Sequence, residues 1–303
     1  MKKTPTSVGA SVRARLLKLA RDRGDVFDLV LLRYVNERLL YRLATSDHAS
    51  RFILKGATLF TVWTGKPHRA TRDVDLLGFG DPSESSIRTV FESVISANSL
   101  DDGVVFDPAS LNASPIRENQ AYGGIRVLLD ARFAAAKVSL QIDVGFGDVV
   151  TPEPLLTELP ALLDFPAPRL RAYPRETVVA EKVEAMVQLG IANSRMKDFY
   201  DIIVLAQRFE FDGGLLARAM KATFARRGTP LPKTPPVAFT STFADDASKR
   251  IQWAAFLRKS GAQDQSDLPT TIAAVVAFAE APRRAAATGE RFVLRWPPGG
   301  PWA

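Results

Sequence analysis

The sequence predicts an α/β protein in which a mixed sheet flanked by helices precedes a mainly helical C-terminal region. Three observations predict this class: residues 50–150 mix strand-like and helical segments, residues 151–174 are rich in proline, and helical patterns dominate afterwards. We therefore expect a first domain over residues 1–150, a proline-rich connection over 151–174 and a helical domain over 175–303.

Hydrophobic periodicity supports each predicted element in turn. In the first domain it predicts helices over 11–23, 25–43, 57–64 and 84–97 and strands over 72–77, 125–132 and 137–146. The last strand alternates cleanly between apolar and polar side chains, as a half-buried strand does. In the C-terminal domain it predicts helices over 175–188, 194–207, 214–225, 245–260 and 269–281, with no helix after residue 295.

Composition narrows the chemistry that the chain can perform. The 303 residues contain no cysteine and only two histidines, His48 and His68. Disulfides, thiolate zinc sites and cysteine nucleophiles are therefore excluded, and a site with several histidines is not expected. Carboxylates remain as the available metal ligands, and they suit Mg²⁺ or Mn²⁺.

The charge balance favours an anionic partner. The net charge is +7 and the sequence pI is about 9.7, which suits nucleic acid or nucleotide, although a generally basic surface would give the same values. The N-terminal lysines are followed by no apolar run, and no stretch approaches the roughly 20 apolar residues of a membrane span. We expect a cytoplasmic protein with no membrane partner.

The main chemical signal is the pair Asp73 and Asp75 in the strand predicted over 72–77. Residues i and i+2 of a strand point to the same face, so the two carboxylates should lie side by side. Such carboxylates repel each other unless a cation lies between them, and this suggests a divalent metal that bridges the oxygens of a triphosphate. An Asp-x-Asp pair alone is a weak signal, because surface pairs of this kind are common.

A third carboxylate, Asp143, follows on the polar face of the strand over 137–146. It could ligate a metal or act as general base for an attacking hydroxyl, and it could equally be a solvated strand end. Asp148 is a weaker candidate for the same role.

Residues just before the aspartate pair could hold phosphate. Gly56 and Thr58 lie at a turn that opens a helix, where free backbone N–H groups suit an anion, although an ordinary strand-to-helix turn has the same pattern. Lys55, Arg69 and Arg72 could each contact phosphate, or they could pair with the aspartates.

A second cluster lies in the C-terminal domain. Asp198 and Asp201 are three residues apart on one helix face, and Lys182 lies beside the apolar stripe of the preceding helix. The pattern favours a buried ion pair, and the alternative is the far wall of a nucleotide site with Lys182 on the triphosphate.

These motifs together resemble the AbiEii/AbiGii-type toxins, the nucleotidyltransferase-like toxins of bacterial toxin–antitoxin systems. The resemblance spans roughly residues 51–205 and rests on four motifs in the family's order: Lys55-Gly56-Ala57-Thr58, Arg69-x-Thr71-x-Asp73-Val-Asp75-Leu76, Glu181-Lys182 and Lys197-Asp198-x-x-Asp201. Two departures are Ala57, where many nucleotidyltransferases place serine, and a longer distance from Gly56 to Asp73 than in the simplest members.

The resemblance implies a DNA-polymerase-β-like nucleotidyltransferase domain followed by a helical domain. It implies that Asp73 and Asp75 bind metal, that Lys182 and Asp198 are needed for activity, and that a cognate antitoxin exists, usually a DNA-binding repressor. Some relatives add nucleotides, often pyrimidines, to the 3′ end of tRNA and so block aminoacylation. We accordingly expect transfer of a nucleoside monophosphate from an NTP to a tRNA.

Two alternatives remain open from the sequence. One is nucleotide transfer to a protein or small-molecule hydroxyl. The other is a non-catalytic module that binds RNA or its antitoxin, in which case the change Asp75→Asn should leave any growth inhibition intact.

Overall fold

Two units form the protein, as seen in a computed structural model that describes residues 7–97, 100–116, 123–261 and 266–303. The N-terminal unit comprises Met1–Gly147 and Leu155–Ala172, and the C-terminal unit comprises Asp148–Pro154 and Tyr173–Ala303. The N-terminal lysines, which bear on the expected absence of a signal peptide, lie outside the described residues.

Two helices begin the N-terminal unit, close to their predicted bounds: α1 (Val8–Arg23) and α2 (Phe27–Ala44). The hydroxyl of Ser7 caps α1 by accepting a hydrogen bond from the Ala10 amide at 3.2 Å. Gly24, with φ of 69°, ends the same helix in the left-handed conformation that glycine adopts without strain.

A seven-stranded sheet forms the centre of the N-terminal unit, with order β3-β4-β5-β2-β1-β7-β6. Its strands are β1 (Phe52–Lys55), β2 (Asp73–Gly78), β3 (Val104–Ile116), β4 (Gly124–Phe133), β5 (Ala136–Phe146), β6 (Leu155–Glu158) and β7 (Arg169–Ala172). The pairs β2–β5 and β1–β7 are parallel and the others antiparallel. With α3 (Thr58–Thr64) and α4 (Glu84–Ser96), this is the mixed α/β architecture that the sequence predicts.

The register of the central strands decides which side chains meet. β2 and β5 align so that Asp75 lies opposite Asp143 and Asp73 lies opposite Gln141. Along β2, Val74 and Leu76 are buried while both aspartates stay partly exposed, so the alternation expected of a half-buried strand is present. The apolar residues of one face anchor the strand and direct the aspartates to the other.

Two parts of the sheet differ from the sequence-based expectation. The segment 151–174, predicted as a proline-rich connection, contributes β6 and β7, which pair with each other and add to β1. β3 carries two prolines and a register shift between Asp107 and Asn112, so it shows no clean alternation. Short or interrupted strands of this kind are stabilised by pairing with other strands, so the local residue pattern does not predict them.

Helices dominate the C-terminal unit, as predicted. They are α5 (Arg175–Leu189), α6 (Met196–Arg208), α7 (Gly213–Arg227), α8 (Ser241–Ala244), α9 (Ala247–Ser260) and α10 (Leu268–Thr288). The short strands β8 (Phe211–Asp212) and β9 (Arg295–Trp296) pair antiparallel. α10 continues through the buried Pro282 to Thr288, beyond its predicted end, because packing of the helix outweighs the local effect of proline.

Among the described residues, none of the helices combines the length and the hydropathy needed to cross a membrane.

Candidate active site

Three carboxylates meet on the sheet of the N-terminal unit. Asp73 and Asp75 lie on β2 and Asp143 lies on the neighbouring β5, and each offers one oxygen within 4.8 Å of the oxygens of the other two. The parallel pairing of β2 and β5 places Asp143 beside a pair that shares one strand face. All three side chains are partly exposed, so a ligand can reach them.

Local hydrogen bonds hold Asp73, the aspartate at the start of β2. The Thr71 hydroxyl donates to Asp73 Oδ1 at 2.8 Å, and the amide side chain of Asn36 donates to the Arg72 carbonyl at 3.4 Å. The chain entering β2 is therefore tied at two consecutive residues. This tethering fixes the position of the first carboxylate before any ligand arrives.

An arginine that the sequence analysis did not single out fixes the third carboxylate. Arg126, on β4, donates from Nε and Nη2 to the two oxygens of Asp143, each at 2.8 Å. Gln141 adds a longer contact to the same carboxylate at 3.3 Å. A bidentate guanidinium–carboxylate pair restricts both the position and the rotation of the carboxyl group. The strand alternation alone gave no signal for it, because the contact depends on the register between β4 and β5.

Gly56 allows the backbone to approach the carboxylates closely. It has φ of +75°, and an added Cβ would lie 1.9 Å from Asp75 Oδ2 and 2.8 Å from Asp75 Cβ. No side chain other than hydrogen fits this position. The adjacent Lys55 lies opposite Asp75 in the sheet, and its Nζ extends over Gly145 of β5.

The donor set fits a divalent cation of the magnesium type. Carboxylate oxygens from three residues converge, no sulfur or imidazole ligand is among them, and backbone rather than side chain lines the wall at Gly56. The sequence-predicted metal ligands are thus brought together, and their binding of an ion remains a prediction.

The other residues predicted to contact phosphate precede β2 in the sequence. Thr58 begins α3, and Arg69 and Arg72 lie in the segment that precedes β2. Arg72 is exposed, and Arg69 is half-buried with its Nη1 3.4 Å from the Ala70 carbonyl.

The second predicted cluster forms an ion-pair network in the C-terminal unit. Lys182 Nζ, on α5, donates to Asp198 Oδ1 at 2.8 Å and to Asp201 Oδ2 at 2.7 Å, both on α6. Arg195 Nε donates to the other oxygen of Asp198 at 2.7 Å. The two aspartate side chains are 1% exposed and that of Lys182 is 14% exposed, so the network is nearly dry.

The protonation of Asp198 follows from these contacts. Burial alone would raise the pKa of its carboxyl, but the positive charges of Lys182 and Arg195 outweigh burial and hold that pKa below its ordinary value. Asp198 therefore stays ionised and holds both cations in place.

A third network, beside Lys182, was not predicted as a unit. Arg227 of α7 contacts Asp148 at 3.0 Å, Glu181 at 3.3 Å and Glu184 at 2.8 Å. Burial opposes the charge of Arg227, yet the three carboxylates raise the pKa of its guanidinium. Burial and the neighbouring Glu181 likewise raise the pKa of Tyr173. Asp148, the weaker alternative to Asp143 in the sequence analysis, is thus paired with Arg227 within the C-terminal unit.

A mixed sheet whose two parallel central strands present three clustered carboxylates, with a glycine turn packed against them, is the arrangement that the sequence predicts for a nucleotidyltransferase. The model of the AbiEii family, described as nucleotidyl transferase AbiEii toxin of a type IV toxin–antitoxin system, matches residues 38–281. The chain therefore belongs to the AbiEii family of nucleotidyltransferase toxins.

Two solved structures resemble this chain over most of its length, and the first of them shows a similar fold. A candidate nucleotidyltransferase from Helicobacter pylori has a TM-score of 0.51 at 14% identity, over 87% of this chain and 98% of that chain. The Helicobacter pylori protein JHP933 has a TM-score of 0.47 at 14% identity, over 92% of this chain and 93% of that chain. A search of curated proteins found no match.

Proposed function

We propose that the protein transfers a nucleoside monophosphate from an NTP to the 3′-terminal hydroxyl of a tRNA, and that this blocks aminoacylation and translation. The observation that carries the proposal is the convergence of Asp73, Asp75 and Asp143 within 4.8 Å. The net charge of +7 supports a polyanionic acceptor.

In the proposed reaction, the acceptor hydroxyl oxygen bonds to the α-phosphorus, the bond from that phosphorus to the bridging oxygen breaks, and pyrophosphate leaves. Asp73, Asp75 and Asp143 would hold Mg²⁺ or Mn²⁺, which when bound offsets triphosphate charge and acidifies the attacking hydroxyl. We propose that Asp143, whose carboxyl group Arg126 orients, also accepts the hydroxyl proton.

Basic and backbone groups would bind the triphosphate. Gly56 brings the backbone against Asp75, and Thr58 opens α3 two residues later. We propose that the N–H groups of this turn, together with Lys55, Arg69 and Arg72, contact phosphate oxygens and stabilise the leaving pyrophosphate.

For Lys182, Asp198 and Asp201 we propose the contribution to activity that the family resemblance implies. The contacts support a lysine held in one position by two buried aspartates. Fixing a four-carbon side chain in advance lowers the entropy lost when it binds an anion.

We further propose magnesium as the cation, a pyrimidine NTP as the donor, a DNA-binding repressor as the cognate antitoxin and the cytoplasm as the place of action. Family membership supports an antitoxin and an NTP, and the oxygen-only ligand set supports magnesium.

The test is incubation of the purified protein with total bacterial tRNA, Mg²⁺ and each of the four α-labelled NTPs, beside the Asp75→Asn variant. Loss of one metal ligand should lower labelling by roughly a hundredfold or more, because several kcal/mol of charge stabilisation disappear. Label on tRNA that the variant does not produce supports the proposal and names the nucleotide.

Two outcomes would redirect the proposal. Label that appears only when cell lysate is added would identify a different acceptor, such as a protein or small-molecule hydroxyl. If no substrate is labelled and Asp75→Asn still inhibits growth, the protein acts by binding and the enzymatic proposal is wrong.

A further inference from the structure

A cavity in the C-terminal unit is lined by residues to which the proposed function assigns no role. Its volume is about 420 Å³, within the range of roughly 300–1,000 Å³ typical of ligand sites. The start of α7, the end of α10 and the segment that follows α10 form its walls. Its lining includes Gly214 and five charged residues, Asp212, Arg218, Lys221, Glu290 and Arg291.

The cavity carries an excess of positive charge. Arg218, Lys221 and Arg291 line it and are exposed, and none of them forms an ion pair with another described residue. Of the two carboxylates in the lining, that of Asp212 already accepts the Leu215 amide at 2.8 Å as the cap of α7. Asp212 keeps its negative charge as a cap, so three cations face the two carboxylates of Asp212 and Glu290 and the lining carries a net charge of about +1.

The cations are held on a well-packed wall. An added Cβ at Gly214 would lie 2.8 Å from the Phe292 carbonyl and 3.6 Å from Arg218 Nη1, so the segment after α10 presses on the first turn of α7 beside that guanidinium. Lys221 follows Arg218 by three residues and shares its helix face. The Phe292 ring packs edge-on against Trp302 at 5.1 Å between centroids, which fixes the segment.

We propose that this cavity binds phosphodiester groups of the RNA acceptor. The inference rests on the proposed function and assigns that function a binding surface on the C-terminal unit. Guanidinium groups match phosphate oxygens with two parallel hydrogen bonds, and a lysine adds a mobile positive charge. The remaining lining includes Ala217, Ala285 and Ala286, small side chains that leave room for a backbone to pass.

A protein partner fits this surface less well. The centres of protein interfaces are depleted of charged residues and enriched in large apolar and aromatic side chains. Here the lining contains three cations and three alanines, its larger apolar residues are Phe292 and Val293, and the ring of Phe292 is engaged with Trp302. An acidic peptide is accordingly an outcome to be tested against RNA.

The chain provides a matched control for the test. The variant Arg218→Ala/Lys221→Ala removes one arginine and one lysine from the cavity face of α7. The variant Arg258→Ala/Lys259→Ala removes the same two charges from exposed positions of α9 that do not line the cavity. All four side chains are exposed, and thermal melts followed by circular dichroism verify that both variants fold.

The measurement is the fluorescence anisotropy of labelled tRNA, with no NTP present, at several salt concentrations. For Arg218→Ala/Lys221→Ala we expect RNA affinity to fall about tenfold and the slope of log K against log salt to shrink by about 1 to 2. The control should change both quantities much less. Binding of a fluorescent NTP should be unaffected in both variants.

Equal losses in the two variants, or none in the cavity variant, would overturn the inference. Polyglutamate that competes with tRNA at equal charge would also overturn it, in favour of an acidic peptide. Failure of the proposed function has a different signature, because wild-type protein would then bind tRNA in the anisotropy assay but would not label it in the assay with α-labelled NTPs. If the wild type labels tRNA while the cavity variant binds and labels normally, the proposed function stands and the cavity has no part in it.

Discussion

At the scale of single residues, Gly56 is the position where sequence tolerance should be lowest. Its φ of +75° costs any other residue about 1–2 kcal/mol, and its Cβ position is occupied by Asp75. We predict that Gly56→Ala weakens Mn²⁺ binding, because rotation of the carboxylate alone cannot relieve a contact of 2.8 Å with Asp75 Cβ. Titration calorimetry with Mn²⁺ measures the effect.

Gly24 supplies the control for this prediction. Its φ of +69° imposes the same backbone strain, but an added Cβ has nothing within 4 Å. Gly24→Ala should therefore lose stability without losing metal affinity. Equal Mn²⁺ affinities in the two variants would show that the close approach at Gly56 has no bearing on the carboxylates.

Individual residues also show how much of the candidate site the sequence alone predicts. The adjacency of Asp73 and Asp75 follows from strand geometry, since alternate residues share a face. Asp143 could be named as a candidate but not placed, because its position opposite Asp75 depends on the pairing of β2 with β5. The bidentate contact from Arg126 depends on a second register, between β4 and β5, and no local pattern predicts it.

At the scale of elements, Lys182 joins α5 to α6 through two nearly dry carboxylates. We predict that Lys182→Met destabilises the protein by about 3 kcal/mol, because Asp201 loses its ion pair with Lys182 and Asp198 keeps Arg195. Urea unfolding measures the change in the free energy of unfolding. An exposed pair, Lys18 with Asp22, serves for comparison, and Lys18→Met should cost less than about 1 kcal/mol.

A triple variant separates the contribution of the buried charges from that of side-chain packing. Adding Asp198→Asn and Asp201→Asn to Lys182→Met removes the buried charges together, so most of the lost stability should return. If stability stays low in the triple variant, packing of the lysine stem rather than its charge holds α5 against α6.

Long and strongly periodic elements were the predictable ones. The main predicted helices and the strands β2, β4 and β5 lie within a few residues of their expected bounds, except for α10, which extends further than expected. β1, β3, β6 and β7 escaped prediction because prolines, a register shift or a length of four residues removed the alternation that identifies a strand. Their stability comes from neighbours distant in sequence.

At the scale of the whole molecule, the sheet includes β6 and β7, which lie outside residues 1–150, the first domain predicted from the sequence. We predict that a fragment of residues 1–150 is poorly folded, because without β7 the edge of β1 is left unpaired. A fragment of residues 1–174 retains all seven strands and should be soluble, with a cooperative thermal transition. Circular dichroism and size-exclusion chromatography compare the two, and equal folding of both fragments would contradict the importance of β6 and β7.

The chain passes through the two units in a fixed order, and this determines which parts of each unit are synthesised first. Both strands that carry the three carboxylates have been translated by Phe146, before any helix of the C-terminal unit exists. The chain then supplies Asp148–Pro154 to the other unit and returns to close the edge of β1. During each round of translation there is consequently an interval in which the strands bearing the carboxylates have emerged while β1 still has a free edge. In this interval the backbone N–H and C=O groups along that edge of β1 are available to pair with other strands.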